Sequence, residues 1–279
     1  MRLMETVKVG SVTIGPDAPL AIIAGPCVAE SRDMCIQVGK AVRDKCAELG
    51  FGYIFKASFD KANRSSIQSY RGPGVEEAIA LFSSIRDELG VPVTTDIHES
   101  QQAETIGKAV DILQIPAFLC RQTDLLVAAA QTGKPVNVKK GQFLSPDEMQ
   151  SVAEKLQQAN AVGIVLTERG TFFGYNRLVN DFIGMTDMMK LGHPVCFDVT
   201  HSTQLPGGSS NGGARVTGGR PDCAPMLAKC AVVAGVQALF IETHPDPSNA
   251  RSDAATMLTI ETALQLLDDV KKLRDATAG

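Results

Sequence analysis

From residue 20 onward the chain alternates short apolar runs with longer stretches whose apolar residues recur at helical spacing. The runs fall at 20–26, 53–58, 92–97, 112–116, 135–140, 163–169, 194–200 and 238–243. Their apolar content is continuous rather than alternating, the pattern of parallel strands covered on both faces. Between them lie amphipathic stripes. Met34, Val38, Val42, Cys46 and Leu49 line one face over 31–49, with Gly50 as a stop. Ala78, Phe82, Ile85 and Leu89 do the same over 75–89, ahead of Gly90. At Ser145-Pro146-Asp147-Glu148 the serine can cap, the proline suits a first helical turn and the glutamate can reach back as a capping box. Met149, Val152 and Leu156 then share a stripe, and a last helix spans 260–274 with Leu264, Leu267 and Leu273.

Eight strand–helix units predict an α/β fold, a single (β/α)8 TIM barrel over residues 1–279. A doubly wound sheet is the alternative, but it seldom uses eight evenly spaced units. The segment 1–19, with Val7, Val9, Val12 and Ile14 around Gly10, predicts a short N-terminal β-hairpin extension. The stretch 206–220 carries six glycines in fifteen residues and follows a barrel strand. A loop of that length and composition is either a mobile active-site lid or disordered, and its place after a barrel strand favours the lid.

Composition changes this picture little. The chain has 279 residues, 44% of them hydrophobic and 21% charged, in the soluble globular range. The net charge of −4 excludes a general nucleic-acid binder, which needs a basic surface. No apolar run reaches the length of a membrane span, and the N-terminus lacks the layout of a signal peptide, so a cytoplasmic location is expected. The seven cysteines form no CxxC pair. Six of them read as core or bland thiols, and Cys27 as the exception.

The candidate chemistry sits where a barrel puts it, at the C-terminal ends of the strands. In chain order those ends carry Cys27, Lys56, Asp96, Gln114, Lys139 with Lys140, Glu168 with Arg169, His201 and Glu242. Lys56, Lys61, Arg64, Arg121, Lys139 and Arg169 all lie at or just beyond strand ends. In an acidic protein, such clustering would focus phosphate or carboxylate ligands at the barrel mouth. Cys27, His201, Glu242 and Asp253 are far apart in sequence, and only a closed barrel could unite them. A thiolate, an imidazole and two carboxylates suit a divalent transition ion better than magnesium or calcium. On spacing alone, ordinary strand-end polarity explains them as well. His98 and His244 flank strand ends and could line the mouth, whereas His193 is expected on the far face.

The segments FKASFDKANRSSIQSYRGPG (55–74), TDIHE (95–99), QIPAFLCRQTDL (114–125), NVKKGQF (137–143), TERG (167–170), FDVTHS (197–202) and IETHPDP (241–247) resemble the 3-deoxy-D-manno-octulosonate 8-phosphate synthases over nearly the whole chain. KANRSS distinguishes them from the related synthases that condense phosphoenolpyruvate with erythrose 4-phosphate. The resemblance implies condensation of phosphoenolpyruvate with arabinose 5-phosphate, with release of phosphate, for lipopolysaccharide assembly.

The resemblance also implies residue roles. Lys56, Lys61, Gln114, Lys139 and Arg169 would hold phosphoenolpyruvate. Asn63, Arg64 and Ser65 would bind the sugar phosphate, with Asp96 and Phe118 nearby. Arg121 would reach the sugar's phosphate from a neighbouring subunit of a homotetramer. His201 would lie between a metal and phosphoenolpyruvate, and Lys56, Lys61, Asp96, Lys139 and His201 would form the catalytic set. Cys after strand one, in place of Asn, marks the metal-dependent class, so Cys27, His201, Glu242 and Asp253 would hold zinc, iron, manganese or cobalt.

Overall fold

The computed structural model describes residues 3–64, 67–173, 175–211 and 214–277, without side chains over 208–216. Eight parallel strands close into a barrel: β3 (Ala21–Gly25), β4 (Gly52–Lys56), β5 (Val93–Asp96), β6 (Ile112–Ile115), β7 (Val136–Lys139), β8 (Ile164–Glu168), β11 (Val195–Asp198) and β14 (Ala238–His244). Pairing of β11 with β14, Cys196 opposite Ala238, completes the ring. Helices α1 (Arg32–Leu49), α2 (Val75–Leu89), α3 (Gln102–Ala109), α4 (Thr123–Gln131), α5 (Met149–Gln158), α6 (Phe182–Lys190), α7 (Ala224–Val233) and α8 (Ile260–Thr277) follow successive strands. Two short antiparallel pieces, β9 (Thr171–Phe172) and β10 (Leu178–Val179), pair with each other beyond β8. A two-residue strand, β15 (Leu258–Thr259), pairs in parallel with the end of β14.

The local signals act as their chemistry predicts. Ser31 Oγ accepts from Met34 N–H at the start of α1, and Gly50 and Gly90 take left-handed conformations that stop α1 and α2. Ser145 and Glu148 form the reciprocal capping box, at 2.8 and 3.4 Å, one turn ahead of the regular helix.

The barrel interior has two levels. Ala21, Ile23, Ile54, Ile112, Val165, Cys196, Ala238 and Phe240 fill its lower part together with Val7, Val9, Val12 and Ile14. These last four come from the predicted hairpin, β1 (Val7–Val9) and β2 (Val12–Ile14), which plugs the N-terminal end. Two residues further along several strands, the inward positions become polar: Lys56 above Ile54, Gln114 above Ile112, Asp198 above Cys196 and Glu242 above Phe240. The outward residues, among them Ile22, Phe55, Leu113, Val138, Leu166 and Phe197, pack under the helices. The apparently continuous apolar runs therefore contain an inward alternation that turns polar at the top.

The described residues of 206–220, expected as a loop, carry strand pairing. The pairing makes an antiparallel ribbon, β12 (Gln204–Asn211) and β13 (Ala214–Gly219), with a register break between Leu205 and Ser209. Small residues let the ribbon lie close to the chain after β14. A Cβ on Gly219 would come within 2.3 Å of the Ala255 carbonyl oxygen. Of the six other cysteines, Cys35, Cys46, Cys120 and Cys196 are buried, Cys223 is half-buried and Cys230 exposed.

Gly25 is a sharper constraint. A Cβ there would sit 2.0 Å from the Lys56 carbonyl oxygen on the adjoining strand. Gly25→Ala is expected to cost at least about 2 kcal/mol by overpacking, measured by denaturant unfolding, and to spread the strand ends that carry Cys27 and Lys56.

Candidate active site

A cavity of about 750 Å³ opens at the C-terminal end of the barrel. Of the residues singled out by sequence, Lys56, Lys61, Asn63, Arg64, Asp96, Gln114, Phe118, Lys139, Arg169, His201, Glu242 and Asp253 line it. Cys27 is not in the lining; it is buried with its thiol on the Asp253 carboxylate. Ser65 lies outside the described residues. Arg121 is exposed and absent from the lining. Lys140 and Glu168 also turn away from the cavity: Lys140 Nζ donates to the Leu144 carbonyl and to Thr171 Oγ1, each at 3.0 Å. Glu168 accepts the N–H groups of Arg169 and Gly170, at 2.8 and 2.6 Å, and so shapes the turn that aims Arg169.

Two ionic clusters occupy the floor. In the first, Lys56 Nζ lies 2.5 Å from Glu242 Oε1 and 3.0 Å from the Cys27 carbonyl oxygen. Cys27 Sγ donates to Asp253 Oδ2 at 3.1 Å. His201 Nε2 stands 3.5 Å from Glu242 Oε2 and 3.9 Å from Asp253 Oδ2. In the second, Asp198 joins Lys139 Nζ at 2.6 Å to His201 Nδ1 at 2.8 Å, and its Oδ1 accepts the His201 N–H at 2.9 Å. An Nδ1–H donated to Asp198 leaves the Nε2 lone pair turned toward Glu242 and Asp253. Lys139 Nζ also lies 3.5 Å from the Phe240 ring centroid, a cation–π contact. Arg169 donates to the His201 carbonyl at 3.2 Å and to Gln204.

These groups set one another's protonation. Burial raises the Glu242 and Asp198 carboxyls, but their neighbours outweigh it and hold both below the ordinary carboxylate range: chiefly Lys56 for Glu242, and His201 with Lys139 for Asp198. Burial pushes the Cys27 thiol well up, and Asp253 and Glu242 add to that. Burial draws Lys139 and Arg169 down. It would lower Lys61 too, but the acidic groups around it, Cys27, Glu242 and Asp253 foremost, hold its ammonium well above the ordinary value.

Cys27, Glu242 and Asp253 each offer a ligand atom within 4.8 Å of the others. Glu242 Oε2 is buried without a hydrogen-bond partner, so the donor set has an unfilled acceptor facing His201. One thiol, one imidazole and two carboxylates are a chemically consistent set for a divalent transition ion.

Sequence reasoning missed Asp198, although its spacing three residues before His201 was a readable signal. It also underused His98, which lines the cavity and lies 2.9 Å from Asp96 Oδ2 through Nε2. His244 does not line the cavity, and His193 lies at the other end of the barrel, near Glu5 ahead of the hairpin.

Asp96 supplies a pH test. Burial raises its carboxyl, but the His98 hydrogen bond, His98's charge and the Lys61 and Lys56 ammonium groups outweigh this and hold it well below the ordinary range. Its folded pKa is thus below its unfolded value of about 3.9, so its stabilisation is complete above that pH and is lost as pH falls below it. In unfolding experiments, Asp96→Asn is expected to flatten the acid limb below pH about 4. An unchanged acid limb would contradict this coupling.

Comparison with known proteins agrees with this geometry. The model of the DAHP synthetase I family matches residues 4–277. The chain is 51% identical to a 2-dehydro-3-deoxyphosphooctonate aldolase of Brucella ovis, covering 95% of this chain and 94% of the relative. It is 50% identical to the enzyme of that name from a Cyanothece species, with 96% of each chain covered. For the one from Protochlamydia amoebophila the values are 47% and 97% of each. A closed barrel with its cations gathered at one mouth, matched from end to end by one family model, makes this chain a member of the DAHP synthetase I family.

Proposed function

We propose that this protein condenses phosphoenolpyruvate with D-arabinose 5-phosphate and water to give 3-deoxy-D-manno-octulosonate 8-phosphate and phosphate, for lipopolysaccharide biosynthesis. The observation that carries the reading is the convergence of Lys56, Lys61, Lys139 and Arg169 on one cavity that His201, Glu242 and Asp253 also line, with the Cys27 thiol on the Asp253 carboxylate. The likeness to the phosphooctonate aldolases selects the sugar.

The reaction forms a bond from C3 of phosphoenolpyruvate to the sugar aldehyde carbon, whose oxygen becomes a hydroxyl. Water adds its oxygen at C2, and the hemiketal phosphate expels phosphate by breaking the C2–O bond, leaving the ketone. Lys56, Lys61, Gln114, Lys139 and Arg169 bind the carboxylate and phosphate of phosphoenolpyruvate. Preset cations of this kind stabilise charge where it develops. Lys61 stays a firm cation, whereas burial brings Lys139 closer to releasing a proton. Asp96, held as a carboxylate, accepts from the sugar hydroxyls beside Asn63, Arg64 and Phe118 of the cavity lining; Ser65 is assigned to the sugar phosphate by the resemblance alone. Asp198 holds Lys139 and His201 in register, so anion clamp and imidazole keep one geometry.

We also propose that the protein depends on a divalent transition metal held by Cys27, His201, Glu242 and Asp253. When bound, such an ion supplies Lewis acidity and orientation at the reacting oxygen atoms. Arg121, exposed and outside the cavity of its own chain, is assigned to the sugar phosphate of a neighbouring copy in a homotetramer. Residues 1–279 are taken as one domain, and the protein as cytoplasmic. Among the described residues, no helix is long and apolar enough to cross a membrane.

Phosphoenolpyruvate labelled with heavy oxygen in its bridging C–O–P position tests the bond order. The label is expected in the released phosphate, and its retention in the sugar product would refute C–O cleavage. A lysine imine is the competing chemistry for a barrel with buried lysines. Borohydride in the presence of either substrate is expected to leave the enzyme unmodified.

A further inference from the structure

Asp253 is carried by the loop after β14, and its backbone takes φ +47°, a left-handed conformation that a non-glycine residue keeps only when its surroundings impose it. The Asp253 carbonyl is tied down on one side: it accepts Thr256 N–H at 3.0 Å and Thr256 Oγ1 at 3.1 Å. On the other side the restraint comes from outside the loop. The Arg251 N–H donates to Glu30 Oε1 at 2.9 Å, while its carbonyl accepts from Arg64 Nη2 at 3.1 Å. Arg64 Nη1 also donates to Ser252 Oγ at 2.6 Å.

Glu30 lies three residues beyond Cys27, on the segment that joins β3 to α1. The same carboxylate faces Arg251 Nε at 3.8 Å and His244 Nε2 at 3.6 Å. His244 ends β14, two residues past Glu242. One side chain thus meets the chain two residues after one candidate ligand, Glu242, and two residues before another, Asp253, and follows a third, Cys27, closely in sequence.

We infer that Glu30 is a positioning residue that binds the Cys27 segment to the Asp253 loop and thereby sets the Cys27–Glu242–Asp253 centre for its ion. This rests on the metal reading above. Glu30 is not among the residues lining the cavity, so its effect passes through the segments it holds: the Cys27 segment, the end of β14 and the Asp253 loop. Outer partners of metal ligands typically alter affinity by about 10- to 100-fold.

The test is the affinity of purified, metal-stripped full-length protein for zinc or manganese, read by competition with a chromophoric chelator. Melting temperature of the metal-free protein is recorded alongside. Glu30→Ala is expected to weaken ion binding by about 10-fold or more. Glu30→Gln keeps an acceptor for Arg251 N–H but loses the charge facing His244 and Arg251, and is expected to weaken it by about threefold. If the alanine variant fails to fold, the glutamine variant decides: weakening of that size supports the inference and wild-type affinity overturns it. Wild-type affinity in both variants, whatever their melting temperatures, overturns it and leaves the metal reading standing. Wild-type protein that binds no ion overturns both.

Discussion

Lys139→Met is expected to lower kcat by about 10³-fold, with a smaller rise in KM for phosphoenolpyruvate. The ammonium is buried at the cavity floor, 2.6 Å from Asp198 Oδ2 and over the Phe240 ring, so no surface cation can replace it. The substitution removes the anion clamp and also leaves the buried Asp198 carboxylate short of a partner. Breaking a buried pair in this way costs about 3–5 kcal/mol, so the single variant should also melt earlier. Lys139→Met combined with Asp198→Asn, set against Asp198→Asn alone, separates the two effects. The double variant is expected to regain much of the lost stability and none of the activity. Recovery of activity together with stability would assign Lys139 a purely structural role.

The second large effect is expected at Cys27. Cys27→Ala removes the thiol that lies 3.1 Å from Asp253, leaving one imidazole and two carboxylates facing the same space. Bound metal is expected to fall from about one ion per chain to below a tenth, and activity by about 10²-fold. Metal content after dialysis and the rate of phosphate release measure the two separately. Rigorous chelation of the wild-type protein should mimic the variant, and add-back of zinc, manganese, cobalt or iron(II) should restore activity. Full activity after chelation, with no ion left by elemental analysis, would contradict the assignment. Cys27→Asn adds a further comparison, in which bound metal is again expected to be lost.

The barrel was legible because its outward-facing residues are so uniformly apolar. Ile22, Phe55, Leu113, Leu166 and Phe197 all lie under helices, and they make each strand read as an unbroken run. The same uniformity hid the interior. Ile54 and Lys56, or Cys196 and Asp198, share one face of a strand, and only the two-residue period separates Lys139, which faces the cavity, from Lys140, which is turned to the backbone of residues 141–144.

Strand-end chemistry was visible in sequence for Cys27, Lys56, His201 and Glu242. The partners that orient it were less so. Asp198 could have been found from its spacing to His201. Glu30 could not, because its contact is with a backbone N–H more than two hundred residues away. The ribbon over 206–220 escaped notice because glycine content reports freedom in the unfolded chain, whereas Gly219 serves close approach to Ala255.

The central claim is that this cavity joins phosphoenolpyruvate to a five-carbon sugar phosphate. The most direct measurement is a product assay with the purified enzyme and a panel of aldehydes. With arabinose 5-phosphate, one phosphate should be released per phosphoenolpyruvate consumed, and the eight-carbon keto acid phosphate should accumulate in equal amount. Erythrose 4-phosphate and mannosamine sugars should give little turnover. Phosphate release with erythrose 4-phosphate but not arabinose 5-phosphate, or no release with any aldehyde, would contradict the account.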